Sequence, residues 1–487
     1  MPTEPDLQRH SRETLPAFDL VLDNGEQLQA LEVVRRVPGK RIVCRGYWAG
    51  QLVYAKLFIG KQAARYAARD VRGVRWLAAQ QIATPALLLE SGVAALNCHV
   101  LLYAAVAGEN AEQVWDGLDV ERRHALTLSL VGEVAKHHKV GLLQTDLYLK
   151  NFLVQDQRIY TLDGDGIRRL RMLGRGCQQR DNLARLLSKV DVGMVQAWLH
   201  GLLRHYASVI EAKSEFSLGD MQRRIAKYWQ YDMRQYAEKV RRTCSDVATW
   251  RVPGIYAAVN RTDDSAALRA ALASPDDLFN QPEALRLKSG NTCTVVAVQI
   301  DQRKLVIKRY NIKNFWHGLG RAWRPSRAMQ AWSNAYRLRL KDITTPAPVA
   351  VMERRVGGLR REAYLLTEYV EARDAAAFFA DDMVSVEQRQ QVALAIASMF
   401  YQLFCLQLEH GDCKASNVLV QGAQPMLIDL DSMRQHGCQM CFRRRHVRDL
   451  RRFMKNWQSD AVTRHLFSSA FMAVYTDRDV LDQAGIK

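Results

Sequence analysis

The stretch His410-Gly411-Asp412-Cys413-Lys414-Ala415-Ser416-Asn417, followed by a short apolar hairpin and then Ile428-Asp429-Leu430-Asp431, decides how the chain is read. A counterpart stands in the first half: Thr145-Asp146-Leu147-Tyr148-Leu149-Lys150-Asn151, then Thr161-Leu162-Asp163-Gly164-Asp165. In both, an asparagine follows the first aspartate by 5 residues, a second aspartate follows it by 17, and a third comes 2 later. With each type near one position in twenty, an accidental match at three fixed offsets is on the order of one in ten thousand. The spacing predicts one structural unit used twice.

These residue types in this order suit phosphoryl transfer from a nucleotide, the pattern of a kinase catalytic loop and metal-binding turn. That chemistry leaves the protein to orient an acceptor hydroxyl, hold magnesium on the phosphates and neutralise moving charge. Asp412 and Asp146 are the candidates for orienting the acceptor hydroxyl or taking its proton. Asn417 with Asp429, and Asn151 with Asp163, are the candidate metal ligands. Lys414 and Lys150 are the cations placed to meet the transferring phosphate. Upstream, Lys56 in Leu52-Val53-Tyr54-Ala55-Lys56-Leu57-Phe58 and Lys308 in Lys304-Leu305-Val306-Ile307-Lys308-Arg309-Tyr310 sit near the ends of apolar, β-rich runs, where a nucleotide's inner phosphates need a cation. The glycine loop over the phosphates is thin, with Gly290 in the second half and Gly39 or Gly46 in the first.

The segments Gly39-Lys40-Arg41, Ala55-Lys56-Leu57-Phe58, Leu143-Gln144-Thr145-Asp146-Leu147, Lys308-Arg309-Tyr310-Asn311 and His410-Gly411-Asp412, with Asp-x-Asp in place of Asp-Phe-Gly, resemble the bacterial lipopolysaccharide core kinase family, which acts on heptose or Kdo and includes InaA-like proteins. The resemblance covers roughly residues 30 to 190 and 283 to 457. It implies an α+β chain of two tandem protein-kinase-like bilobal domains, ATP with magnesium, and a sugar hydroxyl of the lipopolysaccharide inner core as acceptor. Two departures stand out. A kinase pairs its strand lysine with a helix glutamate, and no acidic residue occurs between Lys308 and Lys341, which leaves Asn334 as the candidate for that place; in the first half Asp70 is the candidate. Gln144 also stands two residues before Asp146, where His410 precedes Asp412. The second half keeps the fuller loop and is the expected seat of catalysis. An atypical Ser/Thr protein kinase and a pseudokinase scaffold or regulator of core-lipopolysaccharide assembly are the alternatives.

Asp165 and Asp431 are read either as caps of the following turn or as metal ligands. Arg180-Asp181-Asn182 and Arg448-Asp449-Leu450 read as structural, an aspartate tying down the catalytic loop. Cys438-Gln439-Met440-Cys441 has zinc or redox spacing without a second pair at a suitable distance, and 9 scattered cysteines imply no disulfide framework.

The chain of 487 residues, 48% hydrophobic, is long enough for two cores, expected as residues 1–270 and 271–487, with the boundary in the polar stretch 261–277 and a shortened large lobe in the second. The start Met1-Pro2-Thr3-Glu4-Pro5-Asp6 has no signal-peptide character, and no run is apolar enough to span a membrane. A cytoplasmic protein is expected. Its 69 basic against 51 acidic residues give +18, with runs at Arg168–Arg171, Arg321–Arg324 and Arg443–His446. Such a surface attracts polyanions, and with no nucleic-acid module recognisable the expected partner is the anionic inner membrane carrying the glycolipid acceptor, bound peripherally.

Overall fold

The computed structural model describes residues 15–487 apart from 213, 291–292, 311–324 and 357–358. The N-terminal hexapeptide, Asn291 and Thr292 of the glycine turn, Asn311 and the basic run 321–324 lie outside the described residues. The chain divides into two compact units, residues 1–190 with 194–225, and residues 191–193 with 226–487.

In the first unit six antiparallel strands form one sheet in the order Phe18–Val21, Gln27–Val37, Arg41–Trp48, Gln51–Phe58, Cys98–Ala104, Leu87–Val93. Alternation along Gln51–Phe58 explains its use. Val53, Ala55 and Leu57 point into one apolar core with Ile42, Cys44, Val100 and Leu102, so Lys56 and Phe58 point to the opposite face. The helix Ala63–Ala79 covers that face, burying Ala63, Ala67, Val71 and Val74 at helical spacing. Asp70 falls inside this buried stripe. Beyond the sheet come the helix Val120–Lys139, the hairpin Phe152–Gln155 with Arg158–Thr161, and a two-stranded pairing of Leu142–Gln144 with Ile167–Arg169.

The second unit is built on seven antiparallel strands in the order Val247–Val252, Ile255–Asn260, Pro348–Val356, Leu359–Glu368, Arg303–Tyr310, Cys293–Ile300, Leu285–Ser289. Leu305 and Ile307 enter one core, and Lys308 lies on the other face, the pattern of Lys56 again. The helix Arg327–Arg339 follows; later come the helix Val386–Leu406, opened by a Ser385/Gln388 capping box, and the hairpin Val418–Gln421 with Gln424–Leu427.

Several expectations change here. The stretch 261–277 is no linker: helix Ala266–Ala273 and the turn after it bury Leu268, Leu272 and Leu278 in the second sheet's core. Residues 247–260, expected within the first domain, form two strands of that same sheet, because β-branched and aromatic residues at Val247, Thr249, Trp250 and Val259 find partners there that no local pattern announces. The compact first unit therefore ends near 225, not 270. Nor is the second unit's helical part shortened relative to the first: helices Gln439–Met454, Ala461–Val474 and Arg478–Ala484 follow its Asp-x-Asp, as Arg175–Leu187, Val192–Val209 and the start of Leu218–Lys239 follow the other.

One close approach sets the first unit's geometry. A Cβ added to Gly73 would lie 1.9 Å from the Gly164 carbonyl oxygen, and one on Gly164 would lie 2.2 Å from that of Asp70. Helix and turn meet backbone to backbone, which only glycines permit. Gly73→Ala is expected to cost about 1–3 kcal/mol through overpacking. Urea denaturation of the full chain checks this, with a lowered midpoint expected for the first unit's transition; an unchanged curve would mean the helix can simply slide away.

Candidate active site

In the first unit the helix and turn bring three chain-distant groups together. Lys56 Nζ donates to Asp70 Oδ2 at 2.7 Å and lies 3.4 Å from Asp163 Oδ1. Asp70 is fully buried and also accepts from the Tyr103 hydroxyl. Burial pushes the Asp70 carboxyl above the ordinary range despite the lysine. Burial likewise opposes the Asp163 charge, but Lys56 and then Arg41 outweigh it and hold that carboxyl well below the usual range. Arg41 reaches Asp163 Oδ1 at 3.2 Å because it pairs across the sheet with Phe58, two residues from Lys56 and on the same face. Asp163 adopts φ +75°, left-handed geometry that aspartate tolerates better than most residues.

The loop is tied internally. Asn151 donates its amide to the Asp146 carbonyl at 2.9 Å, which leaves its own oxygen free for a cation. Lys150 is exposed, its ammonium 5.2 Å from the Tyr148 ring.

The second unit repeats this with altered parts. Lys308 Nζ donates to Asp429 Oδ1 at 2.5 Å and lies 3.6 Å from Asp431 Oδ2. Burial disfavours the Lys308 charge, but Tyr310, Asp431 and Asp429 outweigh it and raise the ammonium above its ordinary value. Asp429 has φ +62°, the conformation of Asp163. Asn417 donates to the Asp412 carbonyl at 2.8 Å and Asp412 Oδ2 at 3.3 Å. Arg452 forms an ion pair with the other oxygen of Asp412. Lys414 is half-buried at the turn, its N–H donating to the Asp412 carbonyl at 3.0 Å.

Asn334 does not stand in for the helix carboxylate. Its amide donates to the Leu430 and Met433 carbonyls at 2.8 and 3.0 Å, so it clamps the turn instead of the lysine. Asp431 supplies the second anion beside Lys308, and is itself held by Arg327 Nη2 at 2.7 Å. Asp165 pairs with Arg69 Nε at 2.7 Å. Both third aspartates thus bind a helix arginine, and neither caps a helix with its side chain. Gly46 lies within a strand, where a Cβ would sit 2.1 Å from the Gln29 carbonyl oxygen, so it serves sheet packing. Gly39, at φ +66°, occupies a hairpin turn, and Gly290 is exposed, its N–H donating to the Cys293 carbonyl at 3.2 Å.

The tie-down differs between units. Asp449 accepts from the N–H groups of His410 and Gly411 at 2.8 and 3.1 Å. In the first unit Asn182, not Asp181, has this place: it donates to the Gln144 carbonyl at 2.8 Å and bonds His138 at 3.0 Å, while Asp181 pairs with Arg224. Sequence reading also gave no role to Arg41, Tyr103, Arg327 or Arg452. Arg41, in a segment that carries the family resemblance, and Arg452, three residues after Asp449, had local signals; Tyr103 and Arg327 had none.

Among the described residues no group of three or more His, Cys, Asp or Glu is placed to hold a metal ion. A kinase-type magnesium site needs fewer protein ligands, since phosphate oxygens and waters complete it. Asn151 and Asn417, whose backbone carbonyls accept from Leu162 and Ile428 at 2.9 and 3.0 Å, one residue before Asp163 and Asp429, fit that requirement with their amide oxygens.

Residues 279–475 match the model of the Lipopolysaccharide kinase (Kdo/WaaP) family. Among solved structures, that of vaccinia related kinase 3 is similar at 13% identity with a TM-score of 0.26, over 34% of this chain and 55% of that one, a likeness too slight to bear on the fold. No curated protein matches the sequence.

Burial raises the Asp449 carboxyl to about 6, against the pull of its two backbone donors. The folded chain thus binds this proton more tightly than the unfolded one does. Its stabilising contribution is greatest below about pH 4 and is lost as pH rises through the folded value. Asp449→Asn removes that dependence. In urea titrations between those limits, wild type is expected to lose on the order of 1–3 kcal/mol relative to the variant as pH rises; parallel profiles would show that Asp449 does not titrate there.

Proposed function

We propose that the protein transfers the γ-phosphate of ATP, held with magnesium, to a hydroxyl of a heptose or Kdo sugar in the lipopolysaccharide inner core. The observation that carries this is the pairing of Lys308 with Asp429 and of Asn417 with Asp412, linked where the Ile428 N–H donates to the Asn417 carbonyl at 3.0 Å, inside the segment that matches the family model. Bound ATP with magnesium would supply the phosphoryl group and the charge that offsets the carboxylates. Lys308 would hold the inner phosphates, the Asn417 oxygen and Asp429 would face the metal, and Asp412 would orient the acceptor hydroxyl and take its proton. Lys414 would steady charge on the transferring group. The missing helix acid would not disable the second unit, because Asp431 lies 3.6 Å from Lys308 Nζ and would offset its charge with Asp429 engaged by the metal.

The first unit, with Lys56, Asp70, Asp163, Asn151, Asp146 and Lys150, would be a second kinase-like domain that binds nucleotide. Its helix carboxylate is present, whereas its loop lacks the histidine. An acceptor carried on a lipid places the protein at the cytoplasmic face of the inner membrane as a peripheral protein. The +18 balance supports that reading. Among the described residues no helix is long and apolar enough to cross a membrane.

Thermal-shift titration is expected to show stabilisation by ATP that requires magnesium; none would sink the nucleotide reading. With labelled ATP and isolated core oligosaccharide, Asp412→Asn is expected to lower transfer by about 10²–10⁴-fold and Asp146→Asn by less. A larger loss from Asp146→Asn would move catalysis to the first unit, and labelling of protein in place of sugar would favour a protein kinase.

A further inference from the structure

Strand Ile167–Arg169 runs antiparallel to Leu142–Gln144, the strand that leads into Thr145-Asp146, and ends in a tip at residues 170–174 before helix Arg175–Leu187. At this tip Met172 is 96% exposed and Leu173 93%. Single exposed apolar side chains are ordinary. Met383, 90% exposed, is one such, and it follows Asp381 and Asp382. Met172 and Leu173 differ in being adjacent and in their surroundings: Arg168, Arg169, Arg171 and Arg175 flank them, and no acidic residue occurs from Gly166 to Arg180.

The tip is also held in shape. Gln178 accepts from the Arg171 N–H at 3.2 Å and donates to the Arg171 and Leu173 carbonyls, each at 3.3 Å. The Leu170 N–H donates to the Gly141 carbonyl at 2.8 Å, and Gly174, at φ +72°, turns the chain into the helix. Hydrogen bonds thus fix a conformation that keeps two large apolar side chains in water. Arg168 and Arg175 spend donors on backbone carbonyls, and Arg169 stacks on Trp76 at 4.9 Å. None of these contacts neutralises an arginine. Arg168, Arg169 and Arg171 share a shallow cleft with Leu143 and Leu173.

We propose that this tip is a membrane anchor: Met172 and Leu173 insert among the acyl chains of an anionic bilayer while Arg168, Arg169 and Arg171 bind lipid phosphates, holding the Asp146 loop at the surface. An apolar pair under a basic collar matches the layering of such an interface, hydrocarbon below and phosphate above. The inference deepens the reading of a membrane-held acceptor, on which its purpose rests. Docking by charge alone would be reversed by salt, whereas an inserted apolar pair makes it partly salt-resistant.

The test is co-sedimentation of the full chain with phosphatidylethanolamine–phosphatidylglycerol vesicles and with phosphatidylcholine vesicles, at low and high salt. Wild type is expected to bind the anionic vesicles and to be released only in part by salt, and Met172→Ser/Leu173→Ser to bind at least about tenfold more weakly. The variant's melting temperature and its magnesium-dependent stabilisation by ATP should match wild type, since both side chains lie in solvent. In Leu173→Trp, emission should shift to the blue on anionic vesicles. Equal binding of wild type and double variant, stripped alike by salt, or no shift from the tryptophan, would overturn the anchor while leaving charge-driven surface binding intact. No binding of wild type to either vesicle would overturn both and point to an anionic macromolecule as the partner of the arginines.

Discussion

A lysine on the buried face of a sheet must be neutralised where it lies, and this constraint organises both units. An isolated ammonium there would forfeit most of its hydration, so it persists only with carboxylates delivered to it from elsewhere in the chain. In the first unit a helix and a turn deliver Asp70 and Asp163. In the second the turn alone delivers both Asp429 and Asp431. Charge balance is met twice with different residues, so the absence of a helix acid after Lys308 is a substitution and not simply a loss.

How closely helix and turn approach then decides which residue types are possible. Gly73 against Gly164 leaves room for no side chain, and Asp70 is carried toward Lys56 by that contact. Where Leu430 replaces the turn glycine, the clamp is instead an Asn334 amide on two carbonyls. The left-handed φ of Asp163 and Asp429 is common to both. It aims a carboxylate at the lysine immediately after a strand, and the surrounding hydrogen bonds hold a conformation that is otherwise sparsely populated.

The loop tie-down shows the same economy. Asp449, on helix Gln439–Met454, fixes the backbone of His410 and Gly411, and Arg452 on the same helix engages Asp412. One helix therefore sets the position of the loop and places a guanidinium against its aspartate. In the first unit Asn182 does the positioning with a neutral amide.

Much of the candidate site was legible because its residues lie at fixed short offsets within one hairpin: Asp412, Asn417 and Asp429, or Asp146, Asn151 and Asp163, cannot stray far from one another whatever surrounds them. The lysine strands were legible as short apolar, β-rich runs with the lysine near the end, and Asp70 as the acidic residue that follows Lys56 in the chain. What the sequence could not specify were pairings between distant segments. Strands 247–260 look like the end of one domain until the second sheet accepts them, and Arg41, Arg327 and Arg452 are ordinary surface-type residues until tertiary structure sets them against carboxylates. Local spacing determined the chemistry available to this protein. Long-range packing decided which partner neutralises each charge, because a buried ion pair is chosen by the geometry of the cavity that encloses it and not by distance along the chain.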